Sequence, residues 1–165
     1  MSLYPADIEA MAARIIAAFG ARGLTLATAE SCTGGLIIGA LTEIAGSSTV
    51  VDRGFITYSN QAKIDLLGVG GDTLERCGAV SRQTVLEMVE GALSHSACDV
   101  AVAVTGIAGP GGGSAEKPVG LVHLAAKART GAVLHREMRY GAGGRSQIRL
   151  ATVRTALEML AEVLD

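Results

Sequence analysis

Two side chains in this sequence have the chemistry to open an amide or ester together, Ser31 and Lys63. Ser31 lies in Thr28-Ala-Glu-Ser-Cys-Thr-Gly-Gly35, after the apolar run Leu24 to Thr28 and before apolar residues at helical spacing from Leu36 to Ile44. That order places a hydroxyl where a strand gives way to a helix. Two glycines then let other atoms approach the backbone, and a helix N-terminus offers unsatisfied N–H groups and partial positive charge. A nucleophile beside oriented amide donors is the minimum equipment for attacking a carbonyl. Read alone, the stretch is more often a plain capped strand-to-helix turn. Lys63 follows Asn60, a residue suited to capping a helix over Gln61 to Leu67. An ammonium in the first turn meets the positive end of the helix dipole, and burial would also favour the neutral amine. A neutral lysine can take a proton from a serine; a lone lysine is otherwise a solvated one.

The elements that must position these groups follow from periodicity. Residues 5–22 read as an amphipathic helix, with Pro5 at its start, a stripe of Ile8, Met11, Ala12, Ile15, Ile16 and Phe19, and Gly20 and Gly23 at its end. A strand at 24–29, the Ser31 turn and a helix to Ala45 come next. Gly46 to Thr49 reads as a loop, and Val50 to Tyr58 as a second strand. Gly68 to Gly78 reads as a connector, and Ser81 caps a helix to Ser96. Asp99 to Thr105 is nearly all apolar and β-branched, as in a strand buried on both faces. It runs into the glycine-rich segment Gly106 to Ser114, able to form an anion-binding nest yet lacking the Gly-Lys-Ser/Thr ending of a P-loop. Val119 to Ala128 and Ala132 to Tyr140, joined by Arg129-Thr-Gly131, read as an antiparallel hairpin. Arg145 opens a final helix to Leu164, where a cation is poorly placed for the helix and suggests an anionic ligand or an ion pair.

Composition narrows the function classes. The 165 residues are 49% hydrophobic and 18% charged, enough to build a core and too apolar for a disordered chain. Net charge is −2 and only five residues are aromatic, so the basic stripe and stacking platforms of a nucleic-acid binder are missing. No run approaches the ~20 apolar residues of a membrane span. Cys32, Cys77 and Cys98 have no metal-ligand spacing, and no secretion signal opens the chain. Both features point to reduced thiols in a cytoplasmic protein. His95, His123 and His135 are expected to be structural or solvated, and Cys32 to turn into the core.

Six ordered blocks extend across the chain: Thr28 to Gly35, Gly46-Ser-Ser48, Arg53 to Lys63, Gly78-Ala-Val-Ser81, Thr105 to Ser114, and Glu116-Lys-Pro-Val-Gly120. Together they resemble the C-terminal domain of the competence/damage-inducible protein CinA, over essentially the whole length. The resemblance implies a single domain, residues 1–165, folded as a three-layer α/β/α sandwich. Its sheet would be mixed and mostly parallel, with about five strands and one antiparallel hairpin. The implied activity is hydrolysis of nicotinamide mononucleotide to nicotinate mononucleotide and ammonia, with no metal or organic cofactor. By the same resemblance the nucleophile falls on Ser31, the catalytic lysine on Lys63 and its companion tyrosine on Tyr58, while Thr105 and Arg145 fall on further site positions. Many CinA proteins carry an additional N-terminal domain; functions tied to it are expected to be absent here.

Amide hydrolysis needs a nucleophile, a base, an oxyanion site and a proton for ammonia. Ser31 and Lys63 supply the first two, a Ser-Lys variant of triad logic, with Tyr58 orienting or relaying. The N–H groups of Thr33, Gly34 and Gly35 are the expected oxyanion donors. The nest containing Gly109, Gly111 and Gly112, the loop bearing Ser48, Arg145, and the Gly34-Gly35 turn compete to hold the phosphate. The expected partners are a small nucleotide substrate and a second copy in a dimer, without nucleic acid or membrane. Two alternatives share the pattern: a non-catalytic nucleotide-binding or protein-interaction module, and a serine amidase for another small amide.

Overall fold

The computed structural model describes residues 1–165. Five strands form one sheet in the order β2-β1-β3-β4-β5. They are β1 (Leu26–Glu30), β2 (Val51–Ile56), β3 (Val100–Gly106), β4 (Leu121–Ala128) and β5 (Val133–Arg139). β1 pairs in parallel with β2 and β3, whereas β3–β4 and β4–β5 are antiparallel, so β4 alone runs against the other four. The helices are α1 (Ala6–Arg22), α2 (Leu36–Thr42), α3 (Asn60–Leu67), α4 (Gly71–Cys77), α5 (Arg82–Ser94) and α6 (Arg145–Glu162).

Strand alternation sorts the sheet into two unequal faces. Val100, Val102, Val104, Val122 and Leu124 join the larger core with α1, α2 and α6. Ala29, Ala101, Ala103 and Ala125 point to the other face, under Val85, Met88, Val89 and Ala92 of α5. Small side chains there leave room for α5 to lie close to the sheet. The two cores are the outer interfaces of the three-layer α/β/α sandwich, with four strands aligned and one closing hairpin.

One contact on the α5 face bears on the site. A Cβ on Gly91 of α5 would sit 2.0 Å from the Leu67 carbonyl oxygen at the end of α3. Glycine at this position lets α3, the helix that carries Lys63, seat directly against α5.

Several sequence expectations shift. The connector Gly68 to Gly78 contains α4, a seven-residue helix with no apolar period to announce it. It is held from outside: Glu87 of α5 accepts from the Gly70 N–H at 2.7 Å and from the Thr73 hydroxyl. Ser59, not Asn60, caps α3, its hydroxyl accepting from the Ala62 N–H at 3.0 Å. α2 stops at Thr42, and Ser47–Thr49 form a single 3-10 turn. β2 ends at Ile56, leaving Tyr58 in the bend before α3.

Candidate active site

Three strand ends create the site. The chain leaves β1 for β2 on one side and returns through α3, α4 and α5 to β3 on the other, so β1 is the point where strand order reverses. Open α/β sheets hold their ligands beside such a point, beyond the carboxyl ends of the strands. Here Ser31 follows β1, Thr57 to Ser59 follow β2, and Ile107 to Gly112 follow β3. They enclose a cavity of about 300 Å³ whose lining includes Ser31, Cys32, Tyr58, Lys63, Thr105 and Arg145.

At its base Lys63 Nζ lies 3.0 Å from Ser31 Oγ and donates to the Thr57 carbonyl at 2.8 Å. The Lys63 side chain is 1% exposed, and no carboxylate bonds to it. Burial pushes its pKa below the ordinary lysine range. The cause is desolvation, one of the two effects that the sequence suggests. In the neutral state the amine keeps its N–H bond to the Thr57 carbonyl and turns a lone pair to the Ser31 hydroxyl. That is the arrangement of a general base on a nucleophile.

The Ser31 turn is fixed from two sides by residues that sequence reasoning missed. Glu30 is fully buried. Its carboxylate accepts from the Thr28 hydroxyl at 3.1 Å and the Thr33 hydroxyl at 2.7 Å, and from the N–H groups of Ile37 at 2.9 Å and Ile38 at 3.0 Å. A buried carboxylate survives by such satisfaction, and its position at the start of α2 complements the helix dipole. From the opposite side Arg149 of α6 donates through Nε to the Cys32 carbonyl at 3.0 Å and through Nη2 to the Thr33 carbonyl at 2.9 Å. Gly34 and Gly35 take φ values of 59° and 102°, left-handed conformations that suit glycine. Each missed residue had a signal. Glu30 is the one charge in β1, at its end, and Arg149 lies one helical turn from Arg145.

These bonds redistribute the expected site residues. The α2 N-terminus is occupied by Glu30, so it is not free to hold a substrate anion. The Gly34 N–H donates to the Ser31 carbonyl at 3.0 Å. Thr33, Gly34 and Gly35 lie behind Ser31, and none of them lines the cavity. Cys32 does line it, and its N–H has no backbone acceptor. Its thiol is buried and pushed up to about 12, which leaves it a core group rather than a thiolate nucleophile. Ser48, in the turn before β2, is at the opposite end of that strand from the cavity.

The outer wall is built from Tyr58, the glycine segment and α6. Arg145 donates to the Gly109 carbonyl at 2.8 Å and to the Tyr58 hydroxyl at 3.0 Å. Tyr58 is 61% exposed and its hydroxyl bonds to Arg145, not to the Ser31–Lys63 pair. Gly109, Gly111 and Gly112 all line the cavity. The Thr105 hydroxyl donates to the Ala79 carbonyl at 2.8 Å, tying β3 to the segment ahead of α5. His123 and His135 stack at 3.1 Å between ring nitrogens, outside the cavity, and burial lowers the pKa of each. No three His, Cys, Asp or Glu side chains gather as ligands for a metal ion. No helix is long and apolar enough to cross a membrane.

Comparison with known proteins meets this geometry. The family model of the CinA C-terminal domain matches residues 8–164. The nicotinamide-nucleotide amidohydrolase PncC of Enterobacter agglomerans is 52% identical over 143 residues, 87% of either chain. A putative competence-damage inducible protein of Acetivibrio thermocellus is 48% identical over 154 residues, 93% of this chain and 36% of that longer one. The crystal structure of the competence/damage inducible protein CihA from Agrobacterium tumefaciens superposes with a TM-score of 0.99 at 71% identity, covering all of both chains. The chain therefore belongs to the CinA C-terminal domain family.

Proposed function

We propose that this protein is a nicotinamide-nucleotide amidohydrolase: it hydrolyses the carboxamide of nicotinamide mononucleotide to nicotinate mononucleotide and ammonia, a step of pyridine-nucleotide recycling. The observation that carries the reading is the buried Lys63 amine 3.0 Å from Ser31 Oγ, in a protein so similar to PncC. A lysine deprived of solvent and of any carboxylate partner is poised as a base, and a serine is the group it faces.

The chemistry runs in two halves. Ser31 Oγ attacks the carboxamide carbon as Lys63 Nζ takes its proton. The oxyanion that forms is held by the Cys32 N–H, the donor that follows the nucleophile in the turn. Collapse expels the amide nitrogen, which takes the proton from the Lys63 ammonium and leaves as ammonia. A water molecule, deprotonated by the same amine, then attacks the acyl-enzyme carbonyl; nicotinate mononucleotide departs and Ser31 recovers its proton. The 5′-phosphate lies against the outer wall, where Arg145 has uncommitted N–H donors and the Gly109 to Gly112 backbone can form a nest. Tyr58 orients Arg145 rather than relaying a proton, and Thr105 shapes the floor. Residues 1–165 act as one catalytic domain in the cytoplasm, where Cys32, Cys77 and Cys98 stay reduced.

The expected assembly is a homodimer. β2 is an edge strand, and exposed Ile56, Tyr58, Ile64 and Leu66 cluster in sequence around the end of β2 and α3. Sedimentation at micromolar protein checks this; a monomer contradicts it. The activity is tested by ammonia release from nicotinamide mononucleotide with wild type and Ser31→Ala. The wild type is expected to turn over and the variant to be at background. An inactive wild type sinks the assignment, and a fully active Ser31→Ala sinks the serine mechanism.

A further inference from the structure

The backbone after Ser31 is held both within its own turn and from α6. Three consecutive peptide groups are pinned by their carbonyls. The Ser31 carbonyl accepts from the Gly34 N–H at 3.0 Å, the Cys32 carbonyl from Arg149 Nε at 3.0 Å, and the Thr33 carbonyl from Arg149 Nη2 at 2.9 Å. A peptide group is planar and trans, so holding its carbonyl also fixes the opposite direction of its N–H. The Cys32 N–H belongs to the first of these planes and the Thr33 N–H to the second, and neither has a backbone acceptor. One guanidinium, arriving from α6 over 116 residues away in sequence, thereby locks two of the three planes that follow the nucleophile.

We infer that Arg149 is a positioning residue for the reaction: by holding the Cys32 and Thr33 carbonyls it fixes the planes that carry the Thr33 and Gly34 N–H groups, and the Gly34 N–H in turn holds the Ser31 carbonyl, whose plane carries the Cys32 N–H that receives the oxyanion, so it acts without touching substrate. Arg149 differs in this from Arg145, four residues earlier on the same helix. Arg145 donates to the Gly109 carbonyl and the Tyr58 hydroxyl on the substrate side of the cavity, whereas both Arg149 bonds run to the nucleophile turn. The planar fork is essential, because two carbonyls one residue apart are met by Nε and Nη2 together. A lysine ammonium brings the charge without that fork.

The inference rests on the proposed amidohydrolase activity, and one set of assays separates the two. Wild type, Ser31→Ala, Arg149→Lys and Arg149→Ala are compared on nicotinamide mononucleotide with thermal melts alongside. Arg149→Ala should lose about 100-fold in kcat, as for loss of one oxyanion donor, with KM changed by less than about threefold. Arg149→Lys should remain impaired. The acidic limb of the pH–rate profile should stay where it is in wild type, since Lys63 is untouched. Added guanidinium ion should restore the Arg149→Ala variant and not Arg149→Lys, a readout that general loosening of the fold would not give.

Wild-type kcat in Arg149→Lys, a loss carried by KM, a displaced acidic limb or failure of guanidinium to rescue overturns the inference while leaving the activity in place. Failure of both variants to fold assigns Arg149 to the fold and also overturns it. An inactive wild type removes the activity and this role with it.

Discussion

The two walls of the cavity are held in opposite ways. On the inner wall, Ser31, Lys63 and Thr57 are buried, and the turn is braced by Glu30 beneath it and Arg149 from α6. On the outer wall Tyr58 and Arg145 are exposed, and Arg145 joins the glycine segment and the tyrosine by one hydrogen bond to each. The difference matches the demands on each side. Bond making needs reacting atoms fixed within tenths of an ångström and a base kept away from water. Holding a nucleotide tail needs charge and donors that can adjust, and exposed contacts tolerate that at modest cost.

Breaking the inner wall should have the largest effect. Lys63→Met is expected to lower kcat by about 10³-fold, within the range of a lost general base. Its stability should carry a pH signature. Burial lowers the Lys63 pKa in the native state, so with rising pH the folded protein sheds this proton before the unfolded chain does. Wild type then gains stability as pH rises through the native pKa, up to the ordinary lysine value near ~10.4. The difference in Tm between Lys63→Met and wild type should therefore shift in favour of wild type as pH is raised. A pH-independent difference would show that the amine is not titrating abnormally.

Gly91→Ala attacks the same wall from behind. The added Cβ meets the Leu67 carbonyl oxygen at 2.0 Å and must displace the end of α3. Denaturant unfolding should show a loss of about 2–3 kcal/mol, and activity should fall because Lys63 moves with the helix. Unchanged stability would mean that α3 is not seated on α5 as described.

On the outer wall, Arg145→Ala should raise KM for nicotinamide mononucleotide by about tenfold and leave kcat within about threefold, the pattern of lost uniform binding. A loss confined to kcat would place Arg145 in the chemistry and erase the contrast between the walls. The smallest change sharpens the contrast within Thr57. Its carbonyl accepts from Lys63, while its Oγ1 is buried without a partner. Thr57→Val keeps the carbonyl and removes an unsatisfied hydroxyl, so kcat should stay within about twofold and stability should rise by up to ~1 kcal/mol.

What the sequence discloses also divides along these walls. Ser31 and Lys63 announce themselves because a hydroxyl at a strand-to-helix turn and a lysine at a helix start have readable local causes. The strand pattern is equally plain, with Val100 to Val104 alternating valine and alanine between two faces. Tertiary contacts were hidden. Glu30 looks like one more residue of the motif until Ile37 and Ile38 fold back onto it. Arg149 shows in the sequence only its spacing to Arg145; that it reaches Cys32, 117 residues away, does not show there. α4 lacks a period of its own and forms because Glu87 anchors its start. Of the expected oxyanion donors Thr33, Gly34 and Gly35, the Gly34 N–H is engaged in closing the turn, a bond that no spacing announces.

The central claim is that Ser31, activated by Lys63, carries the acyl group. Rapid quenching of enzyme with excess nicotinamide mononucleotide, followed by mass analysis of the digested protein, tests it directly. A nicotinate-mononucleotide acyl adduct on the peptide containing Ser31 is expected in wild type, with none in Ser31→Ala. Turnover in wild type with no adduct at any quench time, together with undiminished activity in Ser31→Ala, would contradict it.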